Sequence, residues 1–212
     1  MNQIAIGGLN AVAEADRPNQ RSQAKRRTRE KILAAARALF AERGYEASTI
    51  RDIAKAAGMS TGAVFASFAD KSDLFTEIAE AEQADLRQAM RLAVGELTGK
   101  AAILAMLHAA TEHQAGSFAL VRAVMSALWT PGLAEQASRR LDRRPIAPLI
   151  VAAVQQELGA DAGVDATFVG EMIWDDYLAT LRRAQLSGLT ADVVKARVEA
   201  GVLTILAGAQ RH

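Results

Sequence analysis

In the stretch "IAKAAGMSTGAVFASFADKSDLF", Ile53 to Phe75, the spacing Ala54-x3-Gly58-Met59-Ser60-x3-Val64 sets two short apolar patterns around a glycine. Two helices that cross steeply at a tight turn need this set. Ala54 is the small residue where the second helix packs, Gly58 takes the turn, Met59 plugs it, Ser60 caps and Val64 anchors. Such a unit presents its second helix to a nucleic-acid groove. An ordinary helical hairpin fits the same spacing. Thr49, Ser60 and Thr61 stand at helix starts, where the first amides form an anion site for a phosphate oxygen. Plain capping uses the same hydroxyls and is compatible with that role. Lys71, at the start of the next helix, is placed to neutralise a phosphate. Contacts of this kind position a protein on a duplex without reading it. Arg51 is the best base reader, because a guanidinium bonds guanine O6 and N7 bidentately. A surface ion pair with Asp52 or Glu46 is its competing use. Thr61 offers a contact to a base edge or a thymine methyl. Gly62, Ala63, Ala66 and Ser67 carry almost no side chain, so this helix permits close backbone approach and little reading of its own.

These residues need a helical frame, and the pattern supplies one. In "RSQAKRRTREKILAAARALFAERGY", Ile32, Leu33, Ala36, Leu39 and Phe40 make one apolar stripe, and Gly44 stops the helix. Thr49 caps the next helix, with Asp52 three residues on as a variant capping box. Asp70 caps the fourth, with Asp73 in the same relation. Further helices are predicted near 73–94, 100–115, 117–129, 145–158, 164–187 and 190–208, with breaks at Gly95 and Gly99, Gly116, Pro131-Gly132, Gly159 with Gly163, and Gly188. Pro145 fits a helix start and Pro148 a first turn. Nothing alternates as a strand would. The expected class is all-α, with about nine helices.

Charge divides the chain. Residues 21–71 carry a net +6 and residues 72–212 a net −4, within an overall +1. A small basic block on a larger acidic body suggests that one end faces a polyanion; a solvated charged helix face is the plainer account. Residues 1–20 have no sustained period and are expected to form a flexible tail.

From Thr28 to Phe75 the match to a known pattern is dense: Ile32-Leu33-x-Ala-Ala, Leu39-Phe40, Gly44-Tyr45, Thr49-Ile50-x-x-Ile53-Ala54, Ala57-Gly58-Met59-Ser60, Gly62-x-Val64, Phe68, Lys71 and Leu74. This run, about a quarter of the chain, resembles the TetR family of bacterial transcription regulators. The resemblance implies an all-α homodimer. Each subunit would have a three-helix helix-turn-helix head at 21–71 and a C-terminal body at 72–212 for effector binding and dimerisation. It implies a palindromic double-stranded DNA operator, a small-molecule effector that releases it, and a phosphate contact by Lys71. The family's usual aromatic pair is a tyrosine followed shortly by tyrosine, histidine or phenylalanine. Here Phe65-Ala66-Ser67-Phe68 stands instead: Phe65 lacks the hydroxyl, and Phe68 is expected in the core. Phe65, Ala66 and Ser67 still count among the expected DNA contacts. Arg21, Lys25, Arg26, Arg27, Arg29 and Lys31, ahead of or on the first helical turns, are expected to compensate by tracking phosphates or entering a minor groove; a solvated basic stretch is the competing account.

In the body, Met90, Met106, Phe118, Met125, Trp129, Phe168 and Met172 are candidate pocket walls, with His108 and Asp175 as polar members. Plain core packing is the simpler account of each apolar one, and surface exposure that of Asp175. Val169, Ile173, Leu181, Val194, Val198, Val202 and Ile205 form stripes on helices 164–187 and 190–208. These would pair across a two-fold axis, or pack within one subunit.

The same sequence weighs against other classes. No apolar run approaches the roughly 18 residues of a membrane span, and the N-terminus lacks a basic n-region, so a cytoplasmic protein without a membrane partner is expected. There are no cysteines. Neither His108 nor His113 has a Glu three residues before it, so a di-iron bundle enzyme fits poorly, and no metal or cofactor is expected. No phosphate-binding loop or Gly-x-Ser-x-Gly occurs. A helical protein-binding adaptor would explain the helices but not the basic head.

Overall fold

The computed structural model describes residues 20–115, 118–128, 146–160 and 163–211. Among the described residues there are nine helices: α1 Gln20–Arg43, α2 Ile50–Ala56, α3 Thr61–Phe65, α4 Lys71–Val94, α5 Gly99–Ala115, α6 Phe118–Leu128, α7 Ala147–Leu158, α8 Ala166–Ser187 and α9 Ala191–Ala209. No strand occurs among them. None of these helices is long and apolar enough to cross a membrane.

Short side chains set where the helices start. The Thr49 hydroxyl accepts from Asp52 N while the Asp52 carboxylate accepts from Thr49 N, so the capping box is complete. The side chains of Ser60, Asp70, Asp165 and Thr190 accept from backbone amides at the starts of α3, α4, α8 and α9, without the reciprocal bond. Each such cap contributes ~1 kcal/mol to its helix. α7 begins at Ala147 with Pro148 in its first turn, while Pro145 lies outside the described residues.

Two cores form, and two helices join them. In the head, Ile32, Ala36 and Phe40 of α1 pack with Ile53, Val64, Phe68 and the first half of α4. In the body, α5, α7, α8 and α9 bury Ile103, Leu107, Ile150, Ile173 and Val198. α4 places Leu74, Phe75 and Ile78 in the head core but Leu86 and Met90 in the body core. α6 does likewise, with Leu120 and Val124 in the head core and Val121 in the body core. Head and body are therefore connected by packed helix rather than by a linker.

α7 lies close along α8 because Gly170 has no Cβ. One built there would stand 2.6 Å from Val151 Cγ2 and 3.0 Å from Val151 Cα. α9 packs on α8 and α5. This packing decides between two expectations. Val169, Ile173, Leu181, Val194, Val198 and Val202 are all buried within one chain. The stripe that was a candidate for pairing across a two-fold axis is the body's own core. Helical period reveals an apolar face but not which chain covers it.

α1 begins at Gln20, so Arg21, Lys25, Arg26, Arg27 and Lys31 stand on its first helical turns. Residues 1–19, most of the expected tail, lie outside the described residues.

Candidate nucleic-acid interface

α2 and α3 form the expected pair around Gly58, whose φ of +67° is the left-handed conformation that the turn requires. Met59 N donates to Ala54 O at 2.9 Å and closes that turn. Ala54 and Val64 are fully buried, and Met59 packs half-buried against the same cluster. Beyond α3, Phe68 N still donates to Val64 O at 2.9 Å, and the Phe68 ring is buried in the head core as expected.

What remains outside is the candidate surface. Thr49, Arg51, Ser60, Thr61, Gly62, Phe65 and Ala66 are exposed, and Ser67 is half-buried. Phe65 is 57% exposed, with no ring or cation partner among the described residues. Arg51 makes no hydrogen bond or ion pair among the described residues, so the alternative pairing with Asp52 or Glu46 is absent. Asp52 is engaged instead with Thr49, whose hydroxyl donates to its carboxylate at 2.6 Å. That bond, with the Thr49 backbone amide, holds the Asp52 carboxyl below its ordinary range. A negative charge thus sits in the first turn of α2, where it favours the helix's own N-terminus.

Lys71 is half-buried and already engaged. Its Nζ donates to the Tyr45 carbonyl at 2.9 Å and to the Glu46 carbonyl at 3.5 Å, and lies 4.1 Å from the centre of the Tyr45 ring. Tyr45 in turn packs edge-on to Phe75, with ring centres 5.0 Å apart. The spacing pattern did not reveal this lock.

Arg27 is exposed and pairs with no described residue, whereas Arg26 forms an exposed pair with Glu30 at 3.4 Å. Arg29 does not belong with them. Its guanidinium turns inward to Glu77 and the Ser67 carbonyl and lies over Phe68. The signal was present in the sequence: Arg29 precedes Ile32 and Ala36 at i+3 and i+7, which puts it on the buried face.

Among the described residues, the expected pocket members do not share one surface. Met90 and Met106 are buried core. Phe168 and Met172 are 61% and 41% exposed, and Asp175 is exposed beside them, so these three face outward and line no enclosed space. An apolar residue on a helix suits an outer interface as well as an inner wall, and composition does not separate the two. Phe118, Met125 and Trp129 lie outside the described residues, at least in their side chains. His108 is half-buried, and its Nε2 is buried without a hydrogen bond among the described residues.

A polar centre does exist nearby: the buried Tyr177 hydroxyl donates to Gln114 Oε1 at 3.0 Å, and Trp174 stacks on the Tyr177 ring. A separate cleft of about 360 Å³ lies between α6 and the α8–α9 turn, lined by Ala119, Arg122, Ala184, Gln185, Gly188 and Leu189. No group of three His, Cys, Asp or Glu residues suited to a metal occurs among the described residues.

Residues 32–78 match the family described as "Bacterial regulatory proteins, tetR family". Over 78 residues the chain is 38% identical to the HTH-type transcriptional repressor AcnR of Corynebacterium glutamicum, covering 37% of this chain and 38% of that protein. The chain thus spans well under half the length of that relative. Solved structures extend the likeness in fold. The fatty acid degradation regulator FadR of Bacillus halodurans superposes with a TM-score of 0.68 at 19% identity, over 84% of this chain and 98% of that one. Thermus thermophilus FadR, solved in complex with lauroyl-CoA, gives 0.63 at 24% identity, over 85% and 94%.

Proposed function

From the premise that this chain belongs to the TetR family of bacterial regulatory proteins, we propose that it is a cytoplasmic, dimeric, ligand-responsive transcriptional repressor. On this reading it acts on DNA and not as an enzyme. The observation that carries the reading is the helix-turn-helix itself. Val64 and Phe68 bury one side of the reading segment, while Thr61, Gly62, Phe65 and Ala66 remain exposed around a free Arg51.

On this reading α3 enters the major groove with its backbone close to the bases. Arg51 bonds a guanine edge, and Thr61 contacts a base edge or a thymine methyl. Thr49 and Ser60 bring the first amides of α2 and α3 to phosphates. Lys71 gives two hydrogens to the Tyr45 and Glu46 carbonyls and keeps one for a phosphate oxygen. Arg27 adds a positive charge from the rigid first turns of α1.

Dimerisation falls to the outer faces of α8 and α9. Phe168, Met172, Leu186, Val193 and Leu203 are each more than 40% exposed there, opposite the stripe that the chain's own core uses. Two heads on one axis read a palindrome. The effector is a small molecule that enters the body and displaces α4 or α6, the two helices shared by both cores. It needs a differential affinity of only a few kcal/mol between the two conformers to release DNA.

Selection of duplexes from a random pool, followed by mobility shifts over a salt series, tests the proposal. A palindromic consensus bound with strong salt dependence is expected. Failure to enrich any sequence would sink it.

A further inference from the structure

The guanidinium of Arg29 touches three parts of the head at once. Nε and Nη2 grip the two carboxylate oxygens of Glu77 on α4, with Nε to Oε1 at 3.1 Å. Nη1 donates to the carbonyl oxygen of Ser67, two residues past the end of α3. The guanidinium carbon lies 4.0 Å from the centre of the Phe68 ring. The Arg29 and Glu77 side chains are 35% and 33% exposed, so the pair is partly sheltered from solvent. Arg37 with Glu82, at 3.0 Å, forms a second strut between α1 and α4.

α3 spans only Thr61–Phe65, too short to hold its own direction through internal hydrogen bonds. Its neighbours must hold it. Ser60 fixes its start, Val64 and Phe68 anchor its inner side, and Arg29 fixes its far end. Apolar anchors fill space without fixing direction, whereas a hydrogen bond to a carbonyl does. Direction matters here more than on a helix with long side chains. Gly62, Ala66 and Ser67 leave recognition to close backbone approach, and a long side chain that adapts cannot absorb an error of half an ångström.

We propose that Arg29 is a positioning residue that sets the reading helix against α4, because one guanidinium holds both Glu77 and the Ser67 carbonyl. A shift of α4 then moves the end of α3 directly. The link rests on the DNA-binding reading above and deepens it by naming the side chain that carries regulation to the reading helix. Lysine cannot replace it, since an ammonium lacks the planar fork that serves the carboxylate and a carbonyl together.

The experiment uses the full chain with Arg29→Lys and, separately, Glu77→Ala. Affinity is measured over a salt series on the duplex that the wild type enriches, and amide hydrogen exchange is followed in the free protein. Arg29→Lys is expected to weaken binding about tenfold or more with an unchanged salt slope, because the positive charge is kept and only the fork geometry is lost. Exchange should quicken at Ala66 to Phe68 and stay unchanged in the body. Glu77→Ala is the sharper variant. It removes a negative charge, so plain electrostatics expects tighter binding, whereas the positioning role expects binding about fivefold weaker or more. Equal or tighter binding by Glu77→Ala, or wild-type affinity in Arg29→Lys, overturns the proposal. If the wild type enriches no duplex, the regulator reading fails, and exchange at 66–68 alone decides whether Arg29 holds that segment.

Discussion

Lys71, the first residue of α4, holds the chain just past the end of α1: its Nζ lies 2.9 Å from the Tyr45 carbonyl oxygen and 4.1 Å from the centre of the Tyr45 ring. One ammonium thus serves a carbonyl and an aromatic face together. The arrangement closes the head around Phe40, Tyr45 and Phe75, whose rings contact one another. It also holds a positive charge in place at the N-terminal end of α4.

Burial, followed by the charges of Glu46 and Asp70, pushes the Tyr45 phenol up to about 12. Burial also pushes Tyr177 up. The chain has two tyrosines, so the native protein should show no phenolate near the ordinary value of about 10. The folded state holds these protons more tightly than the unfolded state does. Their contribution to stability is therefore complete below the unfolded value and falls as pH rises toward 12 and beyond. Ultraviolet absorbance titration of native and urea-unfolded protein checks this. About a quarter of the phenolate signal appearing at pH 10 in the native protein would show that Tyr45 or Tyr177 is not buried as described.

Arg51 is exposed and free of partners, so its removal should leave the fold intact. On the proposed reading, Arg51→Ala weakens binding to the selected duplex by about 1–3 kcal/mol and relaxes the preference at one guanine. The thermal midpoint should move little. A parallel binding series on duplexes substituted at each position locates that guanine; loss of affinity that is uniform across positions would make Arg51 a phosphate contact instead.

Phe65 exposes most of its ring and lacks a hydroxyl. Phe65→Tyr should strengthen binding by about 0.5–1.5 kcal/mol, the net worth of one added hydrogen bond. Fluorescence anisotropy on the same duplex reads the difference. No gain would mean that α3 docks with Phe65 away from the backbone.

Met172 is 41% exposed on the outer face of α8, near Phe168. Met172→Glu places a charge in the proposed dimer face, where burial without a partner is costly. Sedimentation at micromolar concentration should show a dimer for the wild type and a monomer for the variant. A variant that stays dimeric would move the interface elsewhere.

The local rules were readable residue by residue. Thr49 with Asp52, Ser60, Asp70 and Gly58 do in the structure what short polar side chains and a glycine do at helix starts and turns. Phe68 enters the core because its spacing from Val64 is helical. Relations between faces were less readable. Val169 to Val202 form an apolar stripe, and period alone does not say whether the same chain or a second copy covers it. Phe168 and Met172 show the converse, as apolar residues that point outward. Arg29 was grouped with the basic residues around it by charge, although its register with Ile32 and Ala36 already turned it inward. Lys71 and Tyr45 meet across a sequence gap that no local pattern spans.

The central claim is that exposed α3 and free Arg51 read DNA. Binding of the full chain to its own selected duplex, with and without Arg51→Ala, over a salt series from 50 to 200 mM on the order used for duplex binding, tests it most directly. The account predicts a palindromic duplex, a log-linear fall in affinity with salt for both proteins, and a constant gap of about 1–3 kcal/mol between them. An unselected duplex bound as tightly as the selected one, or no gap between the two proteins, would contradict it.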